Sequence, residues 1–272
     1  MAEAQRQDNK VRLAFRIGYL GDGFYGSQYQ PDRRTVEGEV INACLRGGLF
    51  SDPRSARLTI SGRTDRGVHS RSQIIAFSTS LPDRAERAFP GQLPPDIWVT
   101  HICRVPDSYS PRYDVISRTY RYIYRTGLSD CSTMQAAASL FIGTHDFSCF
   151  ARIEPGKNPM RTITALVVHQ DHGTCWLEVS AQSFLWHMVR CVASALYEVS
   201  ESRMTADDIL RLLSGRCTNK MRPADPEGLI LWEIEDRLKW QPLPTQNRTT
   251  RLHTKAAAYH VLMARVHTLI AP

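Results

Sequence analysis

The chain has 272 residues, 42% hydrophobic and 22% charged, enough apolar content for a sizeable core and too little charge for a disordered protein. Its net charge of +7 favours a polyanionic partner such as nucleic acid, because Lys and Arg that bind phosphates release condensed counterions. The seven cysteines, at 44, 103, 131, 149, 175, 191 and 217, include no C-x-x-C pair, which points to reduced thiols and an intracellular, cytoplasmic protein. The polar start, MAEAQRQDNK, lacks the apolar segment of a signal peptide, and no apolar run reaches the ~20 residues that cross a bilayer, so no membrane partner is expected.

In residues 11–20, Val11, Leu13, Phe15, Ile17 and Tyr19 alternate with a period of two and predict a strand. Val36, Val40, Cys44 and Leu45 predict a helix over 36–49, with Glu37 in a favourable first turn. Short strands are expected at 57–61, 73–78 and 97–103, and Pro82, Pro90, Pro94 and Pro95 mark the connection between the last two as a loop. The strand RTYRYIYRT (118–126) carries Tyr120, Tyr122 and Tyr124 on one face. Ser132 and Gln135 hold capping-box positions for the next helix, with Gly143 past its end. RTITALVVHQ and TCWLEVSAQ flank DHG as a hairpin, with His169 and His172 straddling the turn. An apolar helix follows at 184–199, Thr205 can cap another, and 228–234 reads as a strand. After a polar linker at 241–254, Tyr259, Leu262, Val266 and Leu269 form a helical stripe.

Strands and helices mix without βαβ alternation, so the expected class is α+β with a large, mostly antiparallel sheet. The stretch VPDSYSPR (105–112) is the best boundary. It divides the chain into α+β halves at 1–106 and 107–240, followed by a linker and C-terminal helix at 241–272.

GDGFYG (21–26) matches G-x-G-x-x-G after a strand, but Pro31 argues against a helix opening there, so a glycine-rich loop is preferred to a nucleotide site. Neither H-x-E nor P-C-x-x-C occurs, which removes zinc-dependent base deamination. The tyrosine strand is either core or a platform for stacking a base. In GRTDRGVH (62–69), Asp65 is either a turn residue or a reactive carboxylate. Arg63 and Arg66 beside it would favour the ionised form, which suits a nucleophile or electrostatic partner better than a general acid.

SGRTDRGVHS resembles the R-T-D-x-G-V-H motif of the TruA-type tRNA pseudouridine synthases. GYLGDGFYGSQ (18–28), PRYDVISRTYRYIY (111–124), GTHDFSCF (143–150), FLWHMVR (184–190) and EGLILWEI (227–234) resemble further segments of that family, in its order. The resemblance implies a pseudouridine synthase fold, in which two similar α+β halves join their sheets across a basic cleft. It implies an isomerase that detaches uracil from ribose, turns it and rejoins it through carbon 5, without a cofactor or metal. The substrate would be the anticodon arm of tRNA, at positions 38, 39 and/or 40, and the enzyme a homodimer. Asp65 falls on the catalytic aspartate and Tyr120 on the tyrosine that stacks against the target base. Arg190 falls on the arginine that pairs with the aspartate, Arg63 on one that holds the flipped nucleotide, and Leu229 near the apolar wall of the base pocket. Unstacking a base costs a few kcal/mol, which gives basic and aromatic groups beside the carboxylate a physical purpose.

The chain also departs from the family pattern. Ser27 stands where Trp is usual, Leu20 where Asp is usual, and Arg66 and Ser70 where small residues are usual. QLPPD (92–96) lacks the usual Asn, the segment after Gly127 is short, and the tail after Trp240 is an addition. These changes leave the catalytic set intact and bear on substrate range and dimer contacts. The competing readings are a synthase of the same type aimed at another RNA, and an RNA-binding protein without catalysis.

Overall fold

The computed structural model describes residues 10–125, 131–217, 219–244 and 246–271. The polar start and the segment after Gly127 therefore fall outside the described residues, the former except for Lys10. Among the described residues, ten strands form one sheet, in the order β10-β4-β1-β3-β9-β5-β8-β7-β6, with β2 attached to β3. These are β1 (Val11–Tyr19), β2 (Thr59–Ile60), β3 (His69–Thr79), β4 (Ile97–Val105), β5 (Ser117–Ile123), β6 (Gly143–Asp146), β7 (Met160–Asp171), β8 (Thr174–Ala181), β9 (Leu229–Glu235) and β10 (Gln241–Pro242). Neighbouring strands are antiparallel except β3 and β9, which pair in parallel through His69 with Ile230 and Ser70 with Leu231. That short ladder joins the strands of the first 105 residues to β9 and the strands beyond it, while β10 returns to pair with β4 at the other edge. The class is α+β, as expected.

Alternation places β1 correctly, but its second face is covered too. Arg12 is buried because its guanidinium donates to the Tyr109 carbonyl at 2.7 Å and to Thr59 Oγ1 at 2.9 Å, which satisfies a cation in the interior. One apolar cluster packs β1, β3 and β4 under the helices α1 (Val36–Arg46) and α2 (Pro82–Gln92), with Phe15, Phe77 and Phe89 in mutual ring contact. A second cluster fills the space between the β5–β9 part of the sheet and α3 (Cys131–Ala138), α4 (Met188–Ser200) and α5 (Ala206–Leu213).

Helix α1 starts where Thr35 Oγ1 accepts from the Gly38 amide. It stops at Arg46, short of the expected residue 49, because Gly47 closes it and Gly48 turns to φ +63°. Helix α2 corrects the proline-marked loop. Pro82 sits in the first turn, where no intrahelical amide bond is needed, and Ala85 and Phe89, one turn apart, bury against the core. The Gln135 side-chain oxygen accepts from the Val168 amide of β7 at 2.7 Å. The β7–β8 hairpin turns through His172 and Gly173, both at positive φ. Thr205 caps α5 in a full capping box with Asp208.

Three further expectations are revised. The helix predicted from 184 begins at Met188, and its approach through 184–187 is irregular. The polar stretch 241–254 is not simply a linker: it supplies β10 and the start of a 24-residue helix, α6 (Asn247–Ile270). Its polar side chains donate to carbonyls at the end of α2 and in the loop after it, Thr249 to Pro95 and Arg248 to Pro90 and Leu93. Finally, Cys149 and Cys217 form a disulfide with their Cα atoms 5.9 Å apart, so the thiols are not all reduced.

Candidate active site

Asp65 sits on the loop that enters β3, and the glycine-rich run after β1 braces that loop. The Ser27 amide donates to the Thr64 carbonyl at 3.0 Å, and the Thr64 amide donates back to Ser27 Oγ at 2.8 Å. The Tyr19 and Thr64 hydroxyls bond at 2.8 Å, and the Gly21 amide donates to His69 Nδ1 at 2.9 Å. Gly26 holds φ +96°, and a Cβ there would meet the Thr64 carbonyl oxygen at 2.9 Å, so only glycine lets the two backbones touch. Gly21–Gly23 form a single 3-10 turn rather than the mouth of a helix. GDGFYG is thus a support for the aspartate loop.

The carboxylate is held from the other half of the sequence. Arg190 Nη1, in the first turn of α4, donates to Asp65 Oδ2 at 2.9 Å, and Trp186 Nε1 donates to Oδ1 at 2.9 Å. Both oxygens thereby face a donor 121 or 125 residues away. Arg190 is itself fixed by donating Nε to the Ala224 carbonyl at 2.7 Å. His187 lies between these two donors with φ +67°, a costly conformation for a non-glycine residue that turns the chain into α4. Its Nε2 is 3.5 Å from Asp65 Oδ2, beyond a good hydrogen bond. Burial, aided by Arg190 and Arg152 and opposed by Asp65, holds the His187 imidazole below its ordinary 6.5, so it is neutral at neutral pH.

The arginines that flank Asp65 point elsewhere. Arg63 Nη1 is 3.3 Å from Glu154 Oε1 in an exposed ion pair, and the Arg66 guanidinium lies 4.4 Å from the ring centre of Tyr25. The cation on the carboxylate is therefore Arg190, and the expectation from sequence adjacency is corrected. A β-turn entering a strand splays successive side chains apart, so neighbours in sequence need not be neighbours in the site.

Tyr120 is buried, its ring edge-on to Phe184 at 5.2 Å. Burial, reinforced by Tyr19 and Asp65 and opposed by Arg118, raises its hydroxyl well above the usual tyrosine range, so it stays protonated. Tyr122 and Tyr124 belong to the core: Tyr124 donates to the Ala193 carbonyl of α4 at 2.9 Å. Leu229 is buried opposite Tyr122 in the β5–β9 ladder, and Leu231 opposite Tyr120. Arg118, two residues before Tyr120, is buried and donates to the carbonyls of Ser61 at 2.7 Å and Gln182 at 2.6 Å. It ties β5 to the backbone that leads into the aspartate loop.

Sequence reasoning did not single out Trp186, Arg118 or the reciprocal Ser27–Thr64 pair. Trp186 stands in an apolar run where a tryptophan reads as core; in the structure it is exposed, with its ring nitrogen aimed at Asp65. Among the described residues there is no group of three or more His, Cys, Asp or Glu that could hold a metal ion. The arrangement presents one oriented carboxylate beside a protonated phenol and an aromatic wall. It suits attack on, or electrostatic support of, an electron-poor carbon.

Residues 137–235 match the profile of a family described as tRNA pseudouridine synthase, which defines the class of protein. The chain is 46% identical over 261 residues to tRNA pseudouridine synthase A of Methanoculleus marisnigri, covering 96% of each chain. It is 46% identical to the protein of that name from Methanosphaerula palustris, over 88% of this chain and 85% of that one, and 41% identical to that of Thermococcus kodakarensis, over 83% and 85%. The chain belongs to the TruA-type tRNA pseudouridine synthase family, whose members are isomerases.

Proposed function

We propose that this chain isomerises uridine to pseudouridine in the anticodon stem-loop of tRNA, at positions 38, 39 and/or 40, with Asp65 as the catalytic group. The observation that carries the reading is the capture of both Asp65 oxygens by Arg190 and Trp186. That degree of orientation serves a carboxylate that reacts and is superfluous for a turn residue. The net charge of +7 and the relatives' names support tRNA as substrate.

In the reaction the bond from ribose C1′ to N1 of uracil breaks and a bond from C1′ to C5 forms. C5 loses a proton and N1 gains one, so no electrons enter or leave. Two routes use the same carboxylate: attack of an Asp65 oxygen on the sugar or base, or help in forming a glycal-like intermediate. In both, Arg190 stabilises the carboxylate before reaction, Tyr120 stacks on the base, and Leu229 contributes apolar wall. Arg63 releases Glu154 and contacts the flipped nucleotide. We further propose that halves 1–106 and 107–240 enclose the site, with the tail appended, and that the enzyme is a cytoplasmic homodimer. The two apolar clusters support the division, although Ala14, Val68, Ile74 and Ala76 of the first half belong to the second cluster.

The test is Asp65→Ala, assayed for tritium release from tRNA labelled at C5 of uridine and, separately, for filter binding. Turnover should vanish while binding survives. Residual turnover within about tenfold of the parent removes Asp65 from the chemistry. Mapping pseudouridine in a tRNA pool before and after incubation identifies the sites, and modification confined to another RNA overturns the substrate.

A further inference from the structure

The aspartate loop carries beside it a group that the proposed chemistry does not use. Tyr25 is exposed, and two guanidiniums lie over its ring, Arg33 at 4.6 Å and Arg66 at 4.4 Å from the centroid. The placement is enforced by the backbone, because Gly26 packs against residues 64–66; its Cβ, if present, would sit 3.5 Å from the Arg66 nitrogen. Tyr25 is therefore held beside Arg66, and Arg66 is the residue next to Asp65.

Three neighbouring arginines are neutralised by carboxylates. Arg34 pairs with Glu39 and Asp96, Arg63 with Glu154, and Arg190 with Asp65. Among the described residues, Arg33 and Arg66 have no carboxylate within ion-pair distance, and both are exposed. Two like charges gathered on one ring repel each other, and a ring quadrupole offsets only part of that. Each guanidinium uses one flat face on the ring and keeps its N–H edge free. That edge is the fork that matches two phosphate oxygens.

We propose that Arg33, Tyr25 and Arg66 form a phosphate clamp that grips the RNA backbone beside the nucleotide delivered to Asp65. This rests on the reading of the chain as an RNA-modifying enzyme. It assigns a purpose to Arg66, which stands where the family usually carries a small residue. Tyr25 fixes both guanidiniums in advance, so less side-chain freedom is lost when the backbone arrives. Phosphate contacts of this kind set register and carry no base preference.

The experiment is filter binding of an unmodified tRNA transcript at a series of NaCl concentrations, with Arg33→Ala, Arg66→Ala, the double variant, Tyr25→Ala and Tyr25→Phe. Each arginine removed should lower the slope of log affinity against log salt by about 0.7–0.9, the signature of one lost phosphate contact. The double variant should lose both increments. Tyr25→Phe should keep the parental slope and Tyr25→Ala lose part of it. A double variant with the parental slope overturns the clamp. The residues are exposed, and an unchanged melting temperature guards against a folding defect. The functional reading fails by a different signal: a parent protein that releases no tritium from tRNA. The salt slopes would in that case still decide whether RNA phosphates reach Arg33 and Arg66.

Discussion

Replacing Arg190 with Met keeps a long apolar stem on α4 and removes the charge. In the structure the guanidinium side chain is 12% exposed and its Asp65 partner 22% exposed, with Nη1 and Oδ2 2.9 Å apart. Breaking a fully buried pair costs about 3–5 kcal/mol, because a charge is left uncompensated. Asp65 retains some access to water and keeps the Trp186 donor, so the lower figure applies, about 2–3 kcal/mol. At about 1.4 kcal/mol per decade this is a loss of roughly 30- to 160-fold in kcat/KM. The Ala224 carbonyl also loses a 2.7 Å donor, which costs about 1 kcal/mol of stability. Arg190→Lys keeps the charge without the fork and should fall between the two. The assay is single-turnover tritium release from labelled tRNA, with a thermal melt to separate folding from chemistry. A Met variant that is folded and within threefold of the parent refutes the argument that this cation prepares the carboxylate.

Three other outcomes are expected. The His187 imidazole is held below 6.5, so the unfolded chain binds more protons between the folded value and 6.5. Stability should thus rise with pH through that window and be lost as pH falls below 6.5; urea denaturation of His187→Gln should show a flatter dependence, and an identical one removes His187 from the effect. Reducing Cys149–Cys217, which closes a separation of 68 residues, should lower stability by about 4 kcal/mol. Urea midpoints with and without dithiothreitol measure it, and coincident curves contradict the bond's contribution. Dialysis against EDTA should leave tritium release unchanged, since no cluster of ligand side chains exists among the described residues; a loss restored by zinc would reveal a site.

Local order was legible along the chain wherever one residue's neighbours decide the outcome. Alternation in 11–20 marks a strand, Thr205 marks the start of a helix, and DHG marks a hairpin turn, because propensity, capping and turn geometry act over a few residues. The motif GRTDRGVH identified Asp65 as the group to follow, and the family resemblance implied the contact that Arg190 makes with it. Where adjacency was used in place of contact, the reading failed. Arg63 and Arg66 are the nearest cations in sequence and contact Glu154 and Tyr25 instead.

The tertiary structure alone decided the rest. The prolines of 82–95 and the polar residues of 247–254 read as loop because their partners are distant: Phe89 packs on Phe15, and Thr249 bonds to the Pro95 carbonyl. Trp186 reads as core until its nitrogen is seen on Asp65, and Arg12 reads as surface until its guanidinium is seen on Tyr109 and Thr59. The disulfide joins two cysteines that no spacing rule connects. The sequence by itself determined most of the elements, the family motifs and the carboxylate. Which donors surround that carboxylate depended on β3 and β9 pairing in parallel, since their alignment brings the loop before β3 to the start of α4. Such an alignment is a property of the packed sheet, set by burial of both faces at once, and no window along the chain contains it.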